Sequence, residues 1–189
     1  MNTPSLEKKL GFTLIEILVV LSIIALLSSV ALFSTLKARG AARDDIRVAD
    51  LKRMQIAIEL YKSETGVYPA SCNAGTWGGN VKGSLKCSNG STEYIVGLVS
   101  GGYISSLPKD SLANTYGATS NQGYVYVSDG INYKLLANNT VEVKKITSYN
   151  NQFARCNAAT GSTACPNTVL STTYAVYSNK GSFATNNTW

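Results

Sequence analysis

Four sets of residues in this 189-residue chain are of types that do chemistry. The first is a lone carboxylate: Glu16 is the only charge between Phe12 and Leu36, a run with neither proline nor glycine. An ionised group deep in a bilayer costs about 2.5–3.5 kcal/mol on insertion scales, so a carboxylate in such a run is a functional candidate by default. The second set is Lys8-Lys9-Leu10-Gly11, a basic pair and a glycine directly before the apolar run. The third is four cysteines, Cys72, Cys87, Cys156 and Cys165. The fourth is a sparse acidic set, Asp110, Asp129 and Glu142, of the type that could ligate a hard cation. The chain has no histidine, which removes histidine-based nucleophile activation, acid–base catalysis and metal ligation together. It also shows no nucleophile elbow, phosphate loop or paired-carboxylate motif, so no enzymatic activity, no cofactor and no metal are expected.

The elements that carry these residues follow from composition and period. With 44% hydrophobic and 15% charged residues the chain is expected to fold. As a helix, Phe12–Leu36 is about 37 Å long, enough to cross a hydrocarbon core of about 30 Å. Read without further knowledge, the N-terminus fits three descriptions. It is a secretory signal peptide cut near Ser29-Val30-Ala31, or a plain signal anchor, or a leader ending at Gly11 with the apolar helix retained. The run is longer than a usual signal core and contains a carboxylate, which counts against the first. Lys8 and Lys9 lie before the run, and Lys37, Arg39, Arg43 and Arg47 lie after it, so basic-residue counting leaves orientation ambiguous or inverted.

Helix is expected to continue to about Lys62, with Gly40 as a weak point or a bend. Val48, Leu51, Met54, Ile58 and Tyr61 form one apolar stripe that should pack on a sheet. Arg43, Asp44, Asp45, Arg47, Asp50, Lys52 and Arg53 are assigned to the remaining faces. Gly66 suits a left-handed cap and Pro69 cannot continue the helix. Residues 70–90 read as loop with Trp77 as an anchor, and 91–100 as a short helix or a strand. Gly123–Ser128 and Asn132–Ala137 flank Asp129-Gly130 and read as a hairpin. Val141–Ile146 and Thr172–Ser178 are further strand candidates. The Asn-x-Ser/Thr matches at Asn89, Asn138 and Asn186 are of a kind common by chance in an asparagine-rich chain.

Four cysteines allow three pairings. The sequence-local one, Cys72–Cys87 and Cys156–Cys165, is expected. Closing the first loop is worth about 3 kcal/mol in the chain-entropy account, and disulfides imply an oxidising space outside the cytoplasm.

Lys8-Lys9-Leu10-Gly11-Phe12-Thr13-Leu14-Ile15-Glu16 strongly resembles the cleavage and methylation signature of type IV pilins and type II secretion pseudopilins. Tyr61…Gly66-Val67-Tyr68-Pro69 resembles the helix exit of that family. Leu107-Pro108-Lys109-Asp110 resembles its pre-sheet loop, with Ser111 where the family usually has proline. The resemblance implies a pilin-like α+β fold: a long N-terminal α-helix, membrane-spanning and then amphipathic, packed on a small antiparallel β-sheet. It implies a cleaved leader at 1–11, a transmembrane and filament-core helix at 12–36, an amphipathic half at 37–64 and an extracytoplasmic globular domain at 65–189. Prepilin peptidase would cut between Gly11 and Phe12 and methylate the Phe12 amine. Glu16 would set subunit register against the Phe12 amine of a neighbouring copy.

The implied partners are further copies of the chain in a homopolymeric filament, the peptidase, an inner-membrane assembly platform and, before assembly, membrane lipid. The leader would face the cytoplasm and the C-terminal domain the outside, first at the inner membrane and then in an extracellular filament at the cell surface. Length and a Tyr-, Ser- and Asn-rich tail favour a surface pilus for attachment or motility. A secretion pseudopilus is the alternative. A DNA-uptake pilin is a third reading, with DNA an unfavoured partner because Lys82, Lys86, Lys144 and Lys145 are scattered. Major pseudopilins often hold calcium through acidic side chains in a loop after the sheet, but Asp110, Asp129 and Glu142 form no acidic cluster in this sequence. The single C-terminal disulfide of many type IV pilins keeps the cysteine connectivity open.

Overall fold

The computed structural model describes residues 11–88, 90–148, 151–156 and 169–178. Its main helix, α1, spans Leu14–Thr65. Chain contacts divide into two compact units, Met1–Arg39 and Gly40–Trp189, with the boundary inside α1.

In the first unit, the described large apolar side chains are exposed, from Phe12 and Leu14 at 80% and 83% to Val20 at 47%. This part of α1 is long and apolar enough to cross a membrane. The Ser22 and Ser29 hydroxyls each donate to the carbonyl three residues back, at 2.7 Å, which gives both polar hydrogens an acceptor inside the helix.

The second unit has an α+β arrangement, α1 packed on a small antiparallel sheet. The strands are β1 (Gly78–Gly79), β2 (Gly123–Ser128), β3 (Tyr133–Asn138), β4 (Ala154–Cys156) and β5 (Val169–Tyr177), in the order β1-β2-β3-β5-β4. Period two sorts the strands cleanly. Tyr124, Tyr126, Tyr133, Leu135, Tyr174 and Val176 join Leu51, Met54 and Ile58 of α1 in the main core. Val125, Leu136 and Ala175 point the other way and pack under Val81, Trp77 and Leu85. Thus residues 77–85 cover the second face, with Trp77 as the expected anchor.

Gly66 ends α1 at φ 83°, its N–H donating to the Lys62 carbonyl, as its type and place suggest. The Asp129-Gly130 hairpin forms, but as a longer connection. Asp129 N–H donates to the Asn132 carbonyl, Asp129 Oδ1 accepts from Ile131 and Asn132 N–H, and β3 starts at Tyr133 rather than Asn132.

Two expectations fail. Residues 91–100 form turns, with an isolated bridge from Ile95 to Ser71, and bury Tyr94, Ile95 and Leu98 in the main core. Gly97 and Gly102, with φ of 88° and 80°, break both helix and strand there. Val141–Ile146 is not a strand. Its ends do reach β5, through Val141 N–H to the Thr172 carbonyl and Ile146 N–H to the Ser171 carbonyl. The N–H groups between them are claimed by a carboxylate of α1, described next, so the segment turns away from the sheet.

Candidate functional site

Two places concentrate chemically capable groups. At the start of α1, Gly11, Phe12 and Thr13 precede the helix without regular structure. A peptide bond between residues 11 and 12 therefore lies in non-helical chain, the form a peptidase can bind. Thr13 caps the helix: its Oγ1 accepts the Glu16 N–H at 3.3 Å. Thr13-Leu14-Ile15-Glu16 has the spacing of a capping box, and Glu16 is the acidic residue of the first turn, where the helix dipole favours a negative charge. Glu16 and Phe12 are both exposed. Gly11, Phe12 and Glu16 stand out in the sequence by type and spacing; Thr13 does not, although Thr-x-x-Glu before an apolar run is a recognisable helix-start signal.

The second place is a buried ion cluster in the Gly40–Trp189 unit, centred on Arg47, which is 1% exposed. Its guanidinium meets three carboxylates. Arg47 Nε donates to Asp110 Oδ2 at 2.6 Å and Nη2 to Asp110 Oδ1 at 3.2 Å. Nη1 donates to Asp44 Oδ1 at 2.8 Å and to Glu142 Oε1 at 2.9 Å. Arg43 closes on Glu142 from the side, through Nε at 2.8 Å and Nη2 at 2.5 Å. Asp44, fully buried, accepts the backbone N–H groups of Glu142, Val143 and Lys144 at 3.0, 2.8 and 2.8 Å. Asp110 also accepts from Leu112 N–H and the Tyr116 hydroxyl.

This cluster ties α1 to the segment after Pro108 and to the segment after Val141. The hydrogen bond from Arg43, then those from Arg47, hold the Glu142 carboxyl below its ordinary pKa. Burial acts against the charge of Arg47, but the bonds from Asp110, Glu142 and Asp44 outweigh it and raise its pKa. Burial and the bond to Asp110 push the Tyr116 hydroxyl up.

Asp44 and Arg47, expected on the faces away from the apolar stripe, are interior, and the signal is in the sequence. Gly40, Asp44, Arg47, Leu51, Met54, Ile58 and Tyr61 follow spacings of four and three without a break, a single helical stripe. Their residue types, not their positions, hid them. Gly40 is neither a melted turn nor a break. It is buried within α1, and a β-carbon there would lie 2.9 Å from Val143 Cγ2.

Cys72 and Cys87 form a disulfide that closes the loop carrying β1. Cys165 lies outside the described residues, and with it the pairing of Cys156 and Cys165. The acidic residues considered for calcium do not fit it. Asp110 and Glu142 are engaged by guanidinium groups, and Asp129 Oδ1 caps its own turn. Among the described residues no group of three or more acidic or cysteine side chains is placed to hold a metal ion.

Comparison with known proteins bears on the N-terminal site first. A family model described as the prokaryotic N-terminal methylation motif matches residues 7–32, which include Gly11, Phe12 and Glu16. Over 111 residues the chain is 32% identical to the type II secretion system core protein G of Vibrio cholerae serotype O1 (strain ATCC 39315 / El Tor Inaba N16961). That match covers 59% of this chain and 70% of the relative. No solved structure matches significantly.

Proposed function

Because the chain belongs to the type IV pilin and type II secretion pseudopilin family, we propose that it is a filament subunit that polymerises through the apolar half of α1. Its leader is removed by prepilin peptidase between Gly11 and Phe12, and the Phe12 amine is methylated. Until assembly the subunit is held in the inner membrane, leader side in the cytoplasm and C-terminal domain outside, and the assembly platform draws it out.

The observation that carries this reading is the juxtaposition at the start of α1. A cleavable non-helical bond, a capped helix and one carboxylate stand at the head of a helix segment whose described apolar side chains are exposed on every face. A segment of that kind needs a surround of lipid or of other copies. Once cleavage frees the Phe12 amine, with a reference pKa near 7.7–8.0, it is largely protonated at neutral pH. A neighbouring Glu16 about 4 Å away would attract it by roughly 4 kcal/mol at an effective dielectric of about 20, before desolvation is subtracted. A pair of this kind fixes axial register, because a slip by a fraction of the subunit repeat leaves both charges unpaired in an apolar surround.

Glu16→Ala is expected to insert in the membrane and lose its leader normally while filament yield falls below detection. Wild-type filament yield from that variant removes Glu16 from the mechanism. Intact-mass analysis of the mature chain tests processing, with N-methyl-phenylalanine at residue 12 as the expected start.

The relative named core protein G of a type II secretion system favours a secretion pseudopilus. The part of this chain outside that match favours a second reading, a surface pilus serving attachment or motility. Deleting the gene and assaying both exported enzymes in the medium and shed filaments separates the two. Loss of export with no shed filaments supports the pseudopilus, and shed filaments with normal export support the pilus.

A further inference from the structure

Of the four basic residues that follow the apolar run, two are removed from the surface charge by the fold. Arg43 is paired with Glu142, and Arg47 is buried among Asp44, Asp110 and Glu142. Farther along, Arg53 is paired with Asp50 and Lys144 with Asp45, while Lys52 and Lys62 lie over the rings of Phe153 and Tyr68. Lys37 and Arg39 differ. Both are exposed, and neither forms an ion pair with any described residue. An external partner for them has to be anionic.

Their position says which anion. Lys37 is the first charge after Glu16. At 1.5 Å per residue the two lie about 31 Å apart along the helix, close to a hydrocarbon thickness of about 30 Å. When Glu16 sits at one interface, Lys37 sits at the other, and Arg39 follows within the headgroup layer. Two residues apart on a helix, they diverge by about 200° and point to opposite sides, which makes a collar rather than a patch. Long basic side chains at such a depth reach along the helix to phosphate groups while their stems stay in the apolar layer.

We infer that Lys37 and Arg39 form a basic collar that binds the phosphate groups of anionic phospholipids at the outer face of the membrane. The collar sets the depth of the waiting subunit and must release its lipids when the subunit leaves for the filament. This rests on the reading of α1 as a membrane-held filament helix. It also accounts for the inverted count of basic residues around the run: Arg43 and Arg47 are paired with carboxylates of the folded unit, and the collar is held by lipid.

The test uses the full mature chain, Phe12–Trp189, in detergent micelles. Native mass spectrometry measures binding of dioleoyl-phosphatidylglycerol and of dioleoyl-phosphatidylcholine. A basic residue near an anionic surface is worth about fivefold in affinity. The wild type should therefore prefer phosphatidylglycerol, each of Lys37→Gln and Arg39→Gln should lower that preference by about fivefold, and the double variant should bind both lipids within about twofold. Lys52→Gln/Lys62→Gln, which removes two cations that lie on aromatic rings, should keep the wild-type preference.

Equal binding of the two lipids by wild type overturns the inference. So does an undiminished preference in the Lys37/Arg39 double variant, or the same loss in the Lys52/Lys62 variant, which would indicate net charge alone. Reconstitution of wild type into vesicles followed by flotation separates this from the underlying reading. A chain that floats without lipid preference sinks the collar only, whereas a chain that fails to float with any vesicle sinks both.

Discussion

Arg47 shows how a single residue can be both costly and indispensable. Taking a guanidinium and two fully buried carboxylates out of water is unfavourable, and the cluster persists because its charges and lone pairs are matched with donors. Removing only the cation breaks that match. Arg47→Met is expected to destabilise the Gly40–Trp189 unit by about 3–5 kcal/mol, read by urea denaturation. Arg47→Lys should recover only part of this, since an ammonium cannot present the flat fork that grips Asp110. A near-neutral Arg47→Met would show that the cluster contributes nothing net.

Glu142 makes the cluster sensitive to acid. Its hydrogen bonds to Arg43 and Arg47 depress its pKa in the folded state below the unfolded value of 4.5. Its stabilising contribution is therefore complete above that value and disappears as pH falls through the lower folded one. Glu142→Gln should lose about 1 kcal/mol or less at neutral pH and show a shallower fall in stability below pH about 4.5. An unchanged acid slope would contradict the depressed pKa.

At the scale of elements, the contact between α1 and the segment after Val141 decides a local conformation that sequence pattern assigned wrongly. Val141–Ile146 is a strand candidate from its sequence. A strand there would need the N–H groups of Glu142, Val143 and Lys144 for a ladder, but Asp44 takes all three. The same contact explains Gly40. A helix interior disfavours glycine by about 1 kcal/mol relative to alanine, so this one is kept by close approach. Gly40→Val should lower stability by about 1–3 kcal/mol through contact with Val143. Gly40→Ala should be near neutral, its helix gain offset by the displaced side chain. Combined with Val143→Ala, it should cost less than the two single changes sum to. Additivity of the pair would show that the two sites are not in contact. By contrast the hairpin and the cap at Gly66 were readable, since Asp-Gly and a post-helical glycine are demanded by backbone conformation near in sequence.

For the whole molecule, the two units have opposite requirements. The described residues up to Arg39 expose apolar surface and need lipid or other copies, while the unit from Gly40 onward encloses its own core and ion cluster. The chain should therefore fold when expressed from Gly40 onward. Cys72→Ser/Cys87→Ser in that unit should lower its stability by about 3 kcal/mol, as measured by urea denaturation. A fragment that fails to fold would mean that this unit depends on the helix before it.

The sequence alone determined the apolar run with its lone Glu16, the helix exit at Gly66 and the Asp129-Gly130 hairpin. Each of these follows from local period or local backbone geometry. Only the tertiary structure decided that Asp44 and Arg47 turn inward, that Asp110 and Glu142 meet them, and that Val141–Ile146 leaves the sheet. A buried charge is tolerable only beside partners that lie far along the chain, and no local pattern records where those partners come to rest.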